Sequence, residues 1–275
     1  MAITQGAGTA TLGGSVSSLA ATAFSVTSGQ AICVGVALGS TGASVSGVTD
    51  TIGNTYTQKS FQNGTGLRIE MWVCASSSGT NASNVVTATI TGGPTFISIA
   101  AESYNAVSTF TAANTGTSSD GGTSSQNMPV KTTVAETNNW VVAAFVIASV
   151  SGDVLSAVQG TLRQSAVPGA SGVAVALIDY IALSTGVAQE IAFDTNARKW
   201  AAATIELRAG GAAVTFNDLA SGLSSASSIL GTLVSPSPPA TFAAISREVV
   251  GEPLFCRDAP PPTTSTGGSY TWMSS

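Results

Sequence analysis

Two glutamates, Glu70 and Glu102, stand on predicted strands two residues from an aromatic ring, Trp72 and Tyr104 respectively. A sandwich glycosidase needs such a set: two carboxylates about 5–10 Å apart, one an acid and the other a nucleophile or base. The alternative is plainer. Glu70 pairs with Arg68 or a neighbouring strand, Glu102 does likewise, and both belong to a polar strand face. The clustered E-x-D-x-x-E strand of sandwich glucanases is absent, and no convergent acid–base set is visible. The expectation is a chain that is not an enzyme, with no catalytic residue and no cofactor.

Other chemistry is narrowed by what the chain lacks. It has no histidine, which removes Ser-His-Asp and Cys-His nucleophile systems and the commonest zinc ligand. Cys33 and Cys74 lie inside predicted strands, where a thiol usually acts as a small hydrophobe. A disulfide between them is not indicated by spacing and stays open; Cys256 is the third cysteine. Asp50, Asp120, Asp153 and Asp194 fall in predicted loops, but no single loop supplies the several oxygen ligands that calcium needs, so no metal is assigned. Trp72, Tyr104 and Trp200 could serve as flat platforms for a sugar ring if exposed. The competing reading buries them under the other sheet, a connector or a neighbouring subunit.

The chain is 44% hydrophobic and only 8% charged, against ~25% charged in ordinary soluble domains. Ser, Thr, Gly and Ala supply the bulk instead. A net charge of -5 leaves no basic patch for phosphates, so nucleic acid is not an expected partner. No apolar run approaches the ~20 residues of a membrane helix. The N-terminal residues have neither the basic nor the apolar region of a signal peptide. The expected location is therefore a virion, made in the host cytoplasm and released by lysis.

The elements that would position these side chains are short strands. Alternation predicts Ala31–Leu38, Val45–Asp50, Thr55–Gln62, Arg68–Ala75, Asn84–Ile90 and Phe96–Tyr104, separated by Gly, Asn, Ser and Thr. In Ala31–Leu38 one face is Ile32, Val34, Val36 and Leu38. The other is small, with Cys33, Gly35 and Ala37, and suits close backbone approach. Residues 106–127 read as a Ser/Thr/Gly-rich connector. The plan then repeats: Trp140–Ala148 answers Ala31–Leu38, Val173–Ala182 answers Arg68–Ala75, Gly186–Asp194 answers Asn84–Ile90, and Trp200–Arg208 answers Phe96–Tyr104. Glu102 and Glu206 fall at matching places in that alignment. The predicted core is Ile32, Val34, Val36, Ile69, Met71, Val73, Ile97, Ile99, Val175, Leu177, Ile205 and Leu207.

The segment Val48-Thr49-Asp50-Thr51-Ile52-Gly53-Asn54-Thr55-Tyr56, then Ile69-Glu70-Met71-Trp72-Val73, then Asn84-Val85-Val86-Thr87-Ala88-Thr89-Ile90, resembles a jelly-roll sandwich module found in phage virion proteins and bacterial surface proteins. The closing stretch Trp200–Arg208 resembles the end of that module. The likeness covers about residues 21–209. It implies the fold and carries over no site residues.

After Ala209 the composition changes. Asn217–Leu230 is predicted as one short helix, and Pro236, Pro238, Pro239 and Pro260-Pro261-Pro262 mark extended segments. Phe216, Leu219, Leu223, Phe242, Phe255, Tyr270 and Trp272 are spaced anchors that suit pockets on a partner. The expected organisation is a Gly/Ser/Thr-rich N-terminal segment at 1–20 with room for one edge strand, a jelly-roll-like two-sheet sandwich of two related halves at 21–209, and an assembly arm at 210–275. The expected role is a structural phage virion component (head decoration, head fibre or tail-associated). Its partners would be other virion proteins and copies of itself. The alternative is a carbohydrate-binding or host-adsorption module carrying a surface glycan.

Overall fold

The computed structural model describes residues 2–119, 125–134, 139–149, 153–181 and 188–209, with the backbone alone over 111–116, 118, 125–127 and 188–197. No helix occurs among them. The first half holds β1 (Thr4–Val16), β2 (Ser18–Ala20), β3 (Phe24–Val26), β4 (Ala31–Leu38), β5 (Ser44–Asp50), β6 (Thr57–Gly64), β7 (Leu67–Cys74), β8 (Asn81–Asn84), β9 (Val86–Thr91) and β10 (Thr95–Asn105). The second holds β11 (Val107–Ser119), β12 (Ser125–Thr133), β13 (Trp140–Ser149), β14 (Ser156–Ala157), β15 (Thr161–Ala166), β16 (Gly172–Ile181), β17 (Ala188–Arg198) and β18 (Trp200–Ala209).

Strand pairing is nested. In the first half β1 pairs with β10, β2 with β9, β3 with β8 and β4 with β7, all antiparallel. In the second, β11 pairs with β18, β12 with β17 and β13 with β16. A long antiparallel ribbon rolled on itself gives this order, which is the jelly roll. The β-sandwich expected from the sequence is present, and it is present twice. Each half closes its own layers instead of lending one sheet to a common sandwich. The five-stranded sheet β1-β10-β4-β7-β6 belongs to the first half and β11-β18-β13-β16-β15 to the second.

Three apolar layers result. Ile32, Val34, Val36, Ile97 and Ile99 pack with Val86, Ala88 and Ile90 inside the first sandwich. Phe145, Ile147, Ile178 and Trp200 pack with Met128 and Val130 inside the second. Between the two five-stranded sheets lies a third layer. It contains Ile69, Met71 and Val73 from one half and Val142, Val146, Val175, Leu177, Ile205 and Leu207 from the other. All twelve predicted core residues are buried. They are divided between two layers because central strands here are apolar on both faces, as sheets covered on both sides must be.

The small face of β4 turns to the shared layer. A Cβ built on Gly35 would stand 2.8 Å from the Cβ of Ala144 on β13, so the two sheets touch nearly backbone to backbone there. Cys33 faces this shared layer and Cys74 the first core. The two thiols lie on opposite faces of adjacent strands, which settles the open pairing question: both are free.

Register corrects one correspondence. Ala31 pairs with Tyr104, and Trp140 pairs with Leu207. Counting from these rungs, Glu102 corresponds to Ile205, and Glu206 to Ser103. Glu102 therefore lies in the shared layer. Glu206 lies on the opposite face of its sheet, where Asn139 Nδ2 donates to it at 2.6 Å. The alignment was one residue out, and in a strand one residue exchanges the faces.

Residues 4–16, where the N-terminal segment has room for one edge strand, form β1 along β10 at the edge of its sheet. One stretch differs from expectation in content. Most of the 106–127 connector is β11, which takes the equivalent place along β18. Both are Ser/Thr/Gly/Ala-rich strands at the sides of their sheets, held by the backbone ladder, so they lack the apolar alternation that betrays a strand. The ladders β1–β10, β6–β7, β11–β18 and β15–β16 each contain register shifts; β10–β4, β4–β7, β13–β16 and β13–β18 contain none. The predicted helix at 217–230 and the arm anchors Phe216, Leu219, Leu223, Phe242, Phe255, Tyr270 and Trp272 lie outside the described residues.

Candidate functional site

The glycosidase geometry does not form. Glu70 points into the first sandwich, where Val45 N, Gln58 Nε2, Arg68 Nε and Trp72 Nε1 donate to it at 2.6–3.0 Å. Glu102 points the other way, into the shared layer. The two carboxylates sit on opposite faces of one sheet. Nor do the three proposed platform rings present a face to solvent together. Tyr104 and Trp200 are buried, and Trp72 is half-buried with its indole N–H given to Glu70. Of the loop aspartates, Asp153 pairs with Arg198 at 2.8 Å, Asp194 falls within β17, and Asp120 lies outside the described residues. No group of three metal-ligating side chains occurs among the described residues.

A different constellation gathers at one corner of the shared layer. Glu102 and Tyr104 are alternate residues of β10 and share its inward face. Gln5 of β1 stands opposite Tyr104. Asp179 comes from β16, and β15 supplies Arg163 and Gln164. Gln5 Nε2 and Gln164 Nε2 donate to the two oxygens of Glu102 at 3.1 and 2.8 Å. Arg163 Nε donates to Asp179 Oδ2 at 2.7 Å, and Tyr104 Oη to the same oxygen at 3.3 Å. Arg163 Nη1 also donates to Gln5 Oε1 at 2.6 Å. Its guanidinium lies 5.7 Å from the centroid of Trp140, and Trp140 meets Tyr104 edge-on at 5.9 Å. Gly8 makes room for the arrangement, since a Cβ there would collide with the Glu102 carboxylate.

The local sequence explains these positions. Arg163 is the extra residue of the β15 bulge, between Leu162 and Gln164, and a bulge re-aims its side chain. Lys59 occupies the same bulge in β6, between Gln58 and Ser60. A basic residue thus stands in the bulge of both halves. The carboxylate beneath Arg163 has no such counterpart, because Asp179 corresponds to Val73, an apolar position of β7.

Burial pushes both carboxyl groups above their usual range. For Glu102, burial outweighs the donors from Gln164 and Gln5, with Asp179 adding to the rise. For Asp179, burial outweighs the bonds from Arg163 and Tyr104. Burial likewise raises the Cys33 thiol beside them, with Glu102 the next cause. Glu102, Asp179, Arg163, Tyr104 and Cys33 are the titratable groups that meet here, from β10, β16, β15 and β4.

The sign for stability follows from linkage. A carboxyl whose folded value is raised contributes stability below its ordinary value, and that contribution is lost as pH rises through the folded value. Between about pH 4 and neutrality this corner is therefore expected to weaken as pH increases. The check is the melting temperature of wild type and Glu102→Gln across that range. The variant, which cannot titrate at this position, should show the shallower fall. Equal slopes would remove Glu102 from the account.

Two clefts open on equivalent places. In the second half a cleft of about 250 Å³ is lined by Thr161, Arg163, Asp179, Tyr180 and Ile181, with Gly160. In the first half one of about 440 Å³ is lined by the counterparts Thr57, Lys59, Val73, Cys74 and Ala75, together with Gly53–Thr55, Ser76 and Ser78. The carboxylate–guanidinium pair thus fills one cleft's base and has no counterpart in the other. No family model, curated protein or solved structure matches the chain.

Proposed function

We propose that this chain is a non-enzymatic structural component of a phage virion, such as a head decoration, head fibre or tail-associated protein. It docks through residues 210–275 on other virion proteins and packs beside copies of itself. The observation that carries this reading is the closed polar corner. The residues best suited to acid–base work, Glu102 and Asp179, are buried and held by Gln5, Gln164, Tyr104 and Arg163, so they act as ties between sandwiches. The shared apolar layer beside them makes the two halves one block, which suits a component that must keep its shape. The low charge and the spaced apolar anchors of the arm point the same way.

For the glycan-platform alternative, Tyr104 and Trp200 are buried and Trp72 gives its indole N–H to Glu70. The assembly reading is tested by truncation after Ala209, since residues 1–212 form a compact unit of their own. The truncated chain is expected to melt cooperatively within a few degrees of the full chain, yet fail to label purified phage particles that the full chain decorates. Wild-type occupancy by the truncated chain would remove the arm as the attachment device. Failure of the full chain to associate with particles would remove the virion role.

A further inference from the structure

The two clefts differ in one chemical respect. In the second half the basic bulge residue, Arg163, receives the chain's own carboxylate, Asp179, at 2.7 Å. In the first half the basic bulge residue is Lys59, and Val73 stands where Asp179 would. Among the described residues Lys59 makes no ion pair. It is half-buried and lines the larger cleft. Lacking an internal carboxylate, this cleft has room for an external one.

The walls of that cleft are fixed in advance. Asn54 Oδ1 accepts from the backbone N–H of Ser78 at 2.8 Å and from its hydroxyl at 3.1 Å, joining the 53–55 wall to the 76–78 wall. Asp50 anchors Asn54 in turn, accepting from its backbone N–H at 2.9 Å and its side chain at 2.8 Å. Tyr56 Oη, Asn84 Nδ2 and the Gly53 N–H complete the Asp50 shell at 2.9, 3.1 and 2.9 Å. Burial would raise the Asp50 carboxyl, but these donors from Asn54, Tyr56 and Asn84 together hold it below its usual range. Asp50 does not line the cleft. Its polar lining is hydroxyl-rich, with Thr55, Thr57, Ser76 and Ser78, and Ala75 is an exposed apolar side chain beside them.

We propose that the cleft around Lys59 binds a hexuronate, an acidic sugar residue. The ammonium takes the carboxylate, the hydroxyl walls take ring hydroxyls, and the exposed Ala75 methyl accepts a C–H face. Its volume lies within the range of small-ligand sites, ~300–1,000 Å³. The site does not rest on the assembly reading, and it uses none of Trp72, Tyr104 or Trp200.

The experiment is ligand-observed NMR titration of the full chain with glucuronate, glucose and acetate. Glucuronate should bind saturably; glucose should bind about tenfold or more weaker, since it lacks the charge-assisted contact, which is worth at least that factor. Acetate should bind more weakly because it lacks the ring hydroxyls and C–H face. Lys59→Met should abolish the preference for glucuronate over glucose, and Lys59→Arg should keep it. Both variants should melt like wild type, because Lys59 ties no element to another. No saturable glucuronate binding, equal affinity for glucose, or undiminished binding by Lys59→Met would overturn the proposal. Acetate binding as tightly as glucuronate would overturn the sugar assignment. Particle association is a separate readout, so failure here leaves the assembly reading standing.

Discussion

Arg163→Leu is expected to destabilise the protein by about 3–5 kcal/mol, the usual cost of leaving a buried charge without its partner. Asp179 is 1% exposed and has Arg163 as its ion-pair partner. Removing the guanidinium strands the Asp179 carboxylate and breaks the tie to Gln5 of the first half. Adding Asp179→Val to Arg163→Leu should recover most of that loss. The equivalent position in the first half is already Val73, buried in the same layer, so the fold accommodates an apolar residue there. Recovery should be completed by Tyr104→Phe, because the Tyr104 hydroxyl would otherwise be buried with no acceptor. Denaturant unfolding of the single, double and triple variants checks the series. A double variant as unstable as Arg163→Leu would mean that the pair stabilises the corner beyond what apolar packing supplies there.

Gly35→Val carries the second large effect. Its new Cβ would arrive 2.8 Å from the Cβ of Ala144, closer than real Cβ contacts approach, and Leu177 stands 3.4 Å away. The Ala144 Cβ is fixed to its backbone and cannot swing aside as the Leu177 side-chain tip can, so the five-stranded sheets must separate. Overpacking of a core typically costs about 1–3 kcal/mol, and here the strain falls at the centre of the layer joining the sandwiches. The expected result is a loss at or above the top of that range. Ala144→Gly in the same chain should recover part of it by reopening the contact. If Gly35→Val melts like wild type, the two sheets are not in contact at this point.

The sequence made the strands legible wherever apolar residues alternate. β4 and β10 fall within a residue of expectation at each end, since Ile32–Leu38 and Ile97–Ala101 mark their inward faces. β1 was legible only as an edge strand without bounds and β11 not at all, because their rows of Thr, Gly and Ala pair through backbone groups that every residue type shares. Duplication was legible, but the face of each strand was not. Glu102 and Glu206 align by eye, and only the rungs Ala31–Tyr104 and Trp140–Leu207 show that they point into different layers. The polar corner was hidden for a related reason. Gln5, Glu102, Arg163 and Asp179 are far apart in the chain, and no local spacing announces that two sandwiches bring them together.

The register shifts of the two large sheets fall on the four outermost strands, β1, β6, β11 and β15, and on none of the inner ladders. An outermost strand leaves backbone donors and acceptors exposed along its free side, and a straight one templates another chain's strand. A bulge twists and interrupts that row. A charge-poor protein has little electrostatic repulsion to keep such sheets from growing into one another, and the broken borders supply the missing barrier. Continuous edge-to-edge fibrils are thereby disfavoured.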